Sequence, residues 1–245
     1  MLNRQIPSIT IIGTSHIAME SIREIKEIIQ QEKPGIVALE LDKRRIAALM
    51  DKKERKFSWR DIWHMGFKGL LFALIGSWIQ KKLGKIAGVE PGQEMLTAVK
   101  EARKRKAKIA LIDQNIEITL QKFSQKLSWR EKWHMVQDVL KGIFFRKQEL
   151  ERLGLNQLDL QKVPSQAVIR KLTHLLRERY PNIYEVLVAE RNVIMARHLA
   201  ALQEYYPKER IVAVMGAGHV EGVVQLLKHQ GSLRRLPISA RLSGS

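Results

Sequence analysis

Two stretches of the chain, SITIIGTSH and IVAVMGAGH, each run an apolar segment into Gly-x-x-His, at Gly13–His16 and Gly216–His219. A glycine allows a tight exit from a strand, and the histidine then falls at or near the first turn of the following helix. There the positive end of the helix disfavours imidazolium, so the ring stays neutral and available as a metal ligand or a base. Open α/β sheets bind ligands beyond the carboxyl ends of their strands. The two units are therefore expected to meet at one sheet edge, with the first and last parallel strands as neighbours and His16 facing His219.

Carboxylates and one arginine could complete such a site. Glu40 ends the apolar run of IVALELD, where a buried carboxylate is costly unless paired or coordinated. It either closes a third side of a metal site or holds a nearby arginine such as Arg44 or Arg45. Asp42 is expected to cap the next helix. Glu94, in PGQEM, stands in the first turn of a helix, where the dipole favours it without any function. It could also orient the site or act as its base. In AERNVIMARHL, Glu190 and Arg191 cannot share a helix face, so only one can turn to a pocket. The run itself leaves open which of the two does. Arg197 and His198 read as a solvated edge. Asp113, at the end of LIDQNIEITL's strand, and Asn115 read as helix-cap residues, with Thr119 facing inward.

The chain has no cysteine, which excludes disulfides and thiolate metal sites. Any metal must use His, Asp or Glu, and His16, Glu40 and His219 suit a divalent ion such as Mn, Co or Zn. A nucleophile-elbow serine, a P-loop and HExxH are all absent. GAGHVEG has the wrong last spacing for a dinucleotide fingerprint, with Val220 where a glycine is required.

These residues need a frame that alternates strands and helices. Strands are expected at SITIIG, at Ile36–Leu41 after Pro34-Gly35, at KIALID and at RIVAVMG. Helices are expected at 17–31, in KRRIAALMDKKERK, after Pro91-Gly92, and in HVEGVVQLLKHQG before a glycine stop. The pattern implies an α/β fold, a mostly parallel central sheet flanked by helices. Two long helical insertions, about 58–88 and 128–205, lie within a single domain spanning 1–245, the second broken at Gly154, Pro164 and Pro181. They carry an internal repeat, SWRDIWHM at 58–65 and SWREKWHM at 128–135. In each copy a serine can cap a helix against the acid three residues on, Asp61 or Glu131. The paired tryptophans, four apart, share a face. The ordinary reading packs Trp59/Trp63 and Trp129/Trp133 into a core or against each other. The functional reading makes them a surface that docks on a membrane or clamps a ligand, or a homodimer interface. His64 and His134 could hold a metal across such a dimer but read as packing residues and are left out of the site.

The net charge is +18, and more than half of it sits in residues 51–150 together with all five tryptophans. Lys68, Lys81, Lys82 and Lys85 around GLLFALIGSWI resemble an interfacial amphipathic helix, which favours an anionic membrane surface or an acidic partner. Nucleic acid is not expected, because no RNP, zinc-finger or KH signature is present. GLLFALIGSWI is too short to span a bilayer, which needs roughly 20 residues. The N-terminus lacks a signal-peptide pattern. A cytoplasmic or membrane-associated protein is expected, with any C-terminal anchor absent from this chain.

The motifs IGTSH, VALELDKRR, GVEPGQEM, AKIALIDQNIEITL, LVAERNVIMARHL and VAVMGAGHVEGV, in that order, resemble the TraB/PrgY pheromone-shutdown family. That family groups with GumN and the Tiki proteins in the EreA/ChaN-like superfamily. The resemblance covers nearly the whole chain. It implies metal-dependent proteolysis by the two GxxH histidines and a glutamate, as in Tiki relatives, or metal-free ester hydrolysis, as in EreA relatives. It also implies control of a secreted peptide by binding or cleavage, and in many members C-terminal membrane spans. Carried over by motif, the site residues are His16, Glu40, Glu94, Arg191 and His219. This chain departs from the family at Gln114, where an arginine is usual, at Lys122, where another arginine is usual, and at Asn192, in place of aspartate.

The leading expectation is a metal-dependent hydrolase of short peptides. The rival is a non-catalytic protein that sequesters a peptide and docks on a membrane or partner. A third reading is a metal-free esterase-like hydrolase in which Glu40 orients His16 as a base.

Overall fold

The computed structural model describes residues 3–6, 8–14, 19–50, 92–144 and 165–229. Strands β1 (Asn3–Ile6), β2 (Ile9–Thr14), β3 (Ile36–Leu39), β4 (Lys108–Leu111) and β5 (Ile211–Gly216) form one sheet in the order β1-β2-β5-β3-β4. All neighbours are parallel except β1, which runs antiparallel to β2 at the edge. The sheet is thus mostly parallel, as the alternating pattern predicts. β1 is the element that pattern misses, since four residues of NRQI carry no apolar run. The predicted strand Ile36–Leu41 ends at Leu39, although the Glu40 N–H still donates to Val214 O (3.0 Å) and Leu41 O still accepts from the Asp113 N–H (3.4 Å).

The last strand lies in the middle. β5 pairs with β2 from Ile9↔Ile211 to Thr14↔Gly216, and with β3 from Ile36↔Ile211 to Leu39↔Val214. Every residue of β5 is buried, as a parallel strand covered on both faces requires. Alternation divides the sheet's side chains between two cores. Ile9, Ile11, Ala38, Ile211, Ala213 and Met215 face helices α8 (Glu190–Tyr205) and α9 (Ala217–Lys228). Ile12, Val37, Leu39, Val212 and Val214 face α1 (Met19–Glu32) and α3 (Gln93–Lys104). The crossing of chain order and sheet order sets β2, early in the chain, beside β5, late in it.

Between β3 and α3 lies α2 (Lys43–Met50). Gly92 precedes α3 at φ 89°, and a β-carbon there would lie 2.4 Å from Leu49 Cδ2. Both facts demand glycine at this turn. After β4 come α4 (Ile116–Lys126), α5 (Trp129–Phe144), α6 (Gln166–Arg179) and α7 (Pro181–Tyr184). A π turn, Glu185–Ala189, joins α7 to α8. The break expected at Pro181 is observed, with proline in the first turn of α7. The insertion at about 58–88, Gly154 and Pro164 lie outside the described residues.

The serine cap of the second repeat forms as the spacing implies. Ser128 Oγ accepts from the Glu131 N–H (3.2 Å), and Glu131 Oε2 accepts from the Ser128 N–H (3.0 Å). The core reading of its tryptophans does not hold. Trp129 is 82 % exposed and Trp133 63 % exposed, so they form an aromatic face on α5, with Lys132 Nζ 4.4 Å from the Trp129 ring centre. The equivalent residues Trp59, Trp63 and His64 lie outside the described residues.

Candidate functional site

Strand ends deliver the site. β5 passes into α9 without a loop, so Gly216 caps the helix and His219 stands in its first turn. Thr14 closes β2 directly beside Gly216. The two GxxH units therefore leave the same edge of the sheet on adjacent parallel strands. His16 itself lies outside the described residues.

Glu40 follows β3 at that edge and is 2 % exposed. Its backbone N–H continues the ladder to Val214 O (3.0 Å). Its side chain then turns along the edge, with Oε2 accepting from the Gly216 N–H and Oε1 from Arg191 Nη2. The arginine on Glu40 is thus neither Arg44 nor Arg45 but one that is distant in sequence. His219 is 8 % exposed, and its Nε2 lies 3.5 Å from Glu40 Oε1. Its Nδ1 lies 2.7 Å from Asn192 Oδ1. An amide oxygen only accepts, so Nδ1 carries the proton, and in the neutral ring Nε2 presents its lone pair to Glu40.

Arg191 fixes the carboxylates. Its Nε and Nη2 grip Asp113 Oδ1 (3.0 Å) and Oδ2 (2.6 Å) as a two-pronged fork, while Nη2 also serves Glu40. Nη1 donates to Leu187 O within the π turn (3.2 Å). Burial alone would lower the guanidinium's pKa. Glu40 and Asp113 more than offset it and hold the group above its ordinary value, permanently charged. Arg45 adds a second cation to Asp113 at 2.9 Å. Asp42 caps α2 as expected, accepting from the Arg44 and Arg45 N–H groups, and also ties in the Ile116 N–H of α4 (2.9 Å).

The π turn sets up three consecutive residues that serve three partners, and such turns recur at functional sites. Glu190 takes Lys122 (2.7 Å) and Lys126 (2.6 Å) of α4, Arg191 takes the strand-end carboxylates, and Asn192 takes His219. Burial would raise the Glu190 carboxyl, but the two lysines hold it below its ordinary value. Asn192 lies so close to α9 that a β-carbon on Gly222 would stand 2.2 Å from its Nδ2. Gly222 is therefore part of the machinery that positions His219.

Of the five candidates, Glu40, Arg191 and His219 come together. Glu94 is 2 % exposed in the first turn of α3, at the same edge, because α3 leads back into the start of β4. Sequence reasoning missed Asp113, taken as a cap; the cap of α4 is Asn115, which accepts from the Glu117 N–H. The rule that singled out Glu40, an acid closing a buried apolar strand, applies equally to KIALID. His198 is also corrected: its Nδ1 lies 2.7 Å from Ile112 O, so it braces the end of β4 instead of facing solvent. Gln114 is buried, with Nε2 on Thr119 Oγ1 (2.7 Å).

Two donors of a metal fit here. Atoms bound to one tetrahedral ion at about 2.0–2.1 Å are themselves about 3.3 Å apart, close to the 3.5 Å between His219 Nε2 and Glu40 Oε1. The Asn192 oxygen on Nδ1 stands where a ligating imidazole usually has a carboxylate, a backbone carbonyl or water. Arg191 on the same Glu40 oxygen opposes a further cation. Among the described residues no group of three or more potential ligands is gathered, and His16 lies outside that set.

A mostly parallel α/β sheet whose carboxyl edge holds a buried His–Glu–Arg–Asp network defines the class of this protein. The sequence model described as the TraB/PrgY/gumN family matches residues 2–233, and the chain belongs to that family. It is 38% identical over 221 residues to a protein of Methanocaldococcus jannaschii, covering 90% of this chain and 53% of that one. It is 24% identical over 239 residues to the TraB domain-containing proteins of Mus musculus and Homo sapiens, covering 87% of this chain and 61% of theirs. The chain thus spans about half the length of the archaeal relative. No helix among the described residues is long and apolar enough to cross a membrane.

Proposed function

We propose that this TraB-family chain is a metal-dependent hydrolase of short peptides, with His219, Glu40 and His16 as ligands. The observation that carries the reading is the approach of His219 Nε2 to Glu40 Oε1 at 3.5 Å with Nδ1 committed to Asn192. A ring lone pair facing a carboxylate oxygen is repulsive unless a proton or a cation lies between them. A divalent ion would polarise a carbonyl and activate water there. Asn192 fixes the ring, Arg191 and the Gly216 N–H fix Glu40, and burial keeps bulk water from the pair. The test is elemental analysis of purified, metal-stripped and reloaded protein, followed by cleavage of a peptide library. Turnover that requires metal is the expected result. Metal-free turnover would favour the esterase-like alternative.

One observation favours the rival, a protein that binds peptide without cleaving it. Both Glu40 oxygens are already engaged, one by a cation, and Asn192 stands where the family's aspartate would add negative charge to the histidine. Tight peptide binding without turnover would establish that reading. The exposed Trp129/Trp133 face, basic and aromatic, supports docking of either form on an anionic membrane or a second copy.

A further inference from the structure

We infer that the cleft between α6 and the start of α9, lined in part by Asn192, the residue that holds His219, is a carboxylate-binding site. A cavity of about 380 Å³ lies there, within the range of small-ligand sites. One wall is the face of α6 bearing Arg170, His174 and Arg177, spaced so that all three point the same way. The other wall is the first two turns of α9, and Asn192 lines the cavity between them. Gly218 faces open space: a β-carbon there would meet nothing within 4 Å.

The charges name the occupant. Arg170 already spans the cleft to a carboxylate, donating from Nε to Glu221 Oε2 at 2.8 Å. Both side chains are about half exposed (58% and 48%), and an exposed pair of this kind exchanges partners readily. Arg177 Cζ lies 5.8 Å from the centre of the Tyr184 ring, within the range of a cation–π contact, and both residues line the cavity. His174 meets only the exposed Glu178 on its own helix, at 3.1 Å. Among the residues that line the cavity, two arginines stand against one glutamate, an excess of about one positive charge. That suits a single carboxylate better than a dianionic phosphate, and a fork of guanidinium donors matches a planar carboxylate. The positive end of α9 adds to the same sign. The source of the carboxylate is either a peptide's chain end or an acidic side chain. That the ligand is a peptide on which the chain acts rests on the proposed function; that the cleft binds a carboxylate does not.

The experiment uses the whole chain and three pools of acetyl-capped hexapeptides free of internal Asp and Glu except as stated. One pool ends in a free carboxylate, one in an amide, and one in an amide with a single internal Glu. Binding is read by calorimetry and by the backbone amide shifts of Gly218 and Gly222. One or both acidic pools should bind and shift these amides, the stronger naming the source, and the neutral amide pool should not. Replacing both arginines, Arg170→Met with Arg177→Met, should weaken binding roughly tenfold or more through loss of charge-assisted bonds. Gly218→Phe should block the cleft while leaving the fold intact, which keeps the test decisive if the double variant fails to fold. A cleft that binds while no peptide is cleaved separates this inference from the hydrolase reading. Equal binding of the acid and neutral amide pools would overturn it. So would undiminished binding by Gly218→Phe, or inorganic phosphate outcompeting the acid pools.

Discussion

The imidazole of His219 and the amide of Asn192 meet at 2.7 Å between Nδ1 and Oδ1, and this contact decides which ring nitrogen is left to react. Replacing Asn192 with Leu would leave a buried N–H without a partner, at a cost of about 1–3 kcal/mol. It should also lower any metal affinity by roughly 10–100-fold, as loss of a ligand's outer partner does. Gly222→Ala is the independent check. Alanine is the better helix former by about 1 kcal/mol, yet its β-carbon would stand 2.2 Å from Asn192 Nδ2 and displace the amide. Urea unfolding and ¹⁵N spectra of the His219 ring should show both variants shifted in the same direction. A stabilised Gly222→Ala with an unchanged ring tautomer would sink the argument.

Arg191 holds two buried carboxylates apart. Arg191→Met should destabilise the chain by about 3–5 kcal/mol, the range for stripping one member from a buried ion pair. The residual damage should shrink when Glu40→Met is added, because one unpaired charge is removed with it. A double-mutant cycle in urea measures this directly. Additive losses would mean that Glu40 and Arg191 are not coupled, against their contact at the sheet edge.

The fold was readable because buried parallel strands leave continuous apolar runs, and VALEL, IALID and VAVMG are such runs. The adjacency of β2 and β5 was readable from repetition of one motif. β1 was not, since an edge strand of four residues needs no core face. Arg191 and His219 carried motif signals, but Asn192's role depends on a π turn, and no local pattern in EVLVA announces one. The exposure of Trp129 and Trp133 was hidden for the opposite reason. Two tryptophans four apart look alike whether they face a core or solvent.

Acid should loosen the helical layer before the sheet. Glu131 accepts from the Asn182 side-chain amide at 2.9 Å, from the Asn182 N–H at 2.8 Å and from Ser128. Burial would raise its carboxyl, but these bonds bring it below its ordinary value of 4.5. Glu190 is depressed likewise by Lys122 and Lys126. A depressed folded value means that the unfolded chain takes up the proton first as pH falls. The stability these groups supply is therefore complete above 4.5 and lost as pH drops through their lower folded values. Thermal melting from neutral pH to strong acid should show this loss, and Glu131→Gln should flatten it. An unchanged pH profile in that variant would remove Glu131 from the account.

The Trp129/Trp133 face costs the single chain little to change. With the side chains 82 % and 63 % exposed, Trp129→Ala with Trp133→Ala should alter stability by about 0.5 kcal/mol or less. The same pair should weaken binding to anionic vesicles, which should also fall steeply with salt because the region is basic. Light scattering at micromolar concentration tests the other occupant, a second copy. A monomer that ignores both vesicles and these substitutions would leave the face without a partner.

The decisive prediction concerns the shared sheet edge. If Glu40, His219 and His16 hold one ion, His16→Ala, His219→Ala and Glu40→Gln should each reduce bound metal after reloading, measured by elemental analysis. Each histidine variant should abolish metal-dependent peptide cleavage while keeping the fold, read by circular dichroism. The double histidine variant should be no worse than either single one, because groups that act as a unit fail together. The reasoning is geometric: β2 and β5 are parallel neighbours with Thr14 opposite Gly216, so both GxxH segments begin at one place on the edge. His219 Nε2 already stands 3.5 Å from Glu40 Oε1, the span of two ligands on one ion. Retained metal in His219→Ala, or full activity after chelation, would separate the histidines from the chemistry. The His219–Glu40 contact would then be a brace between β3 and α9, and its loss should appear in stability alone.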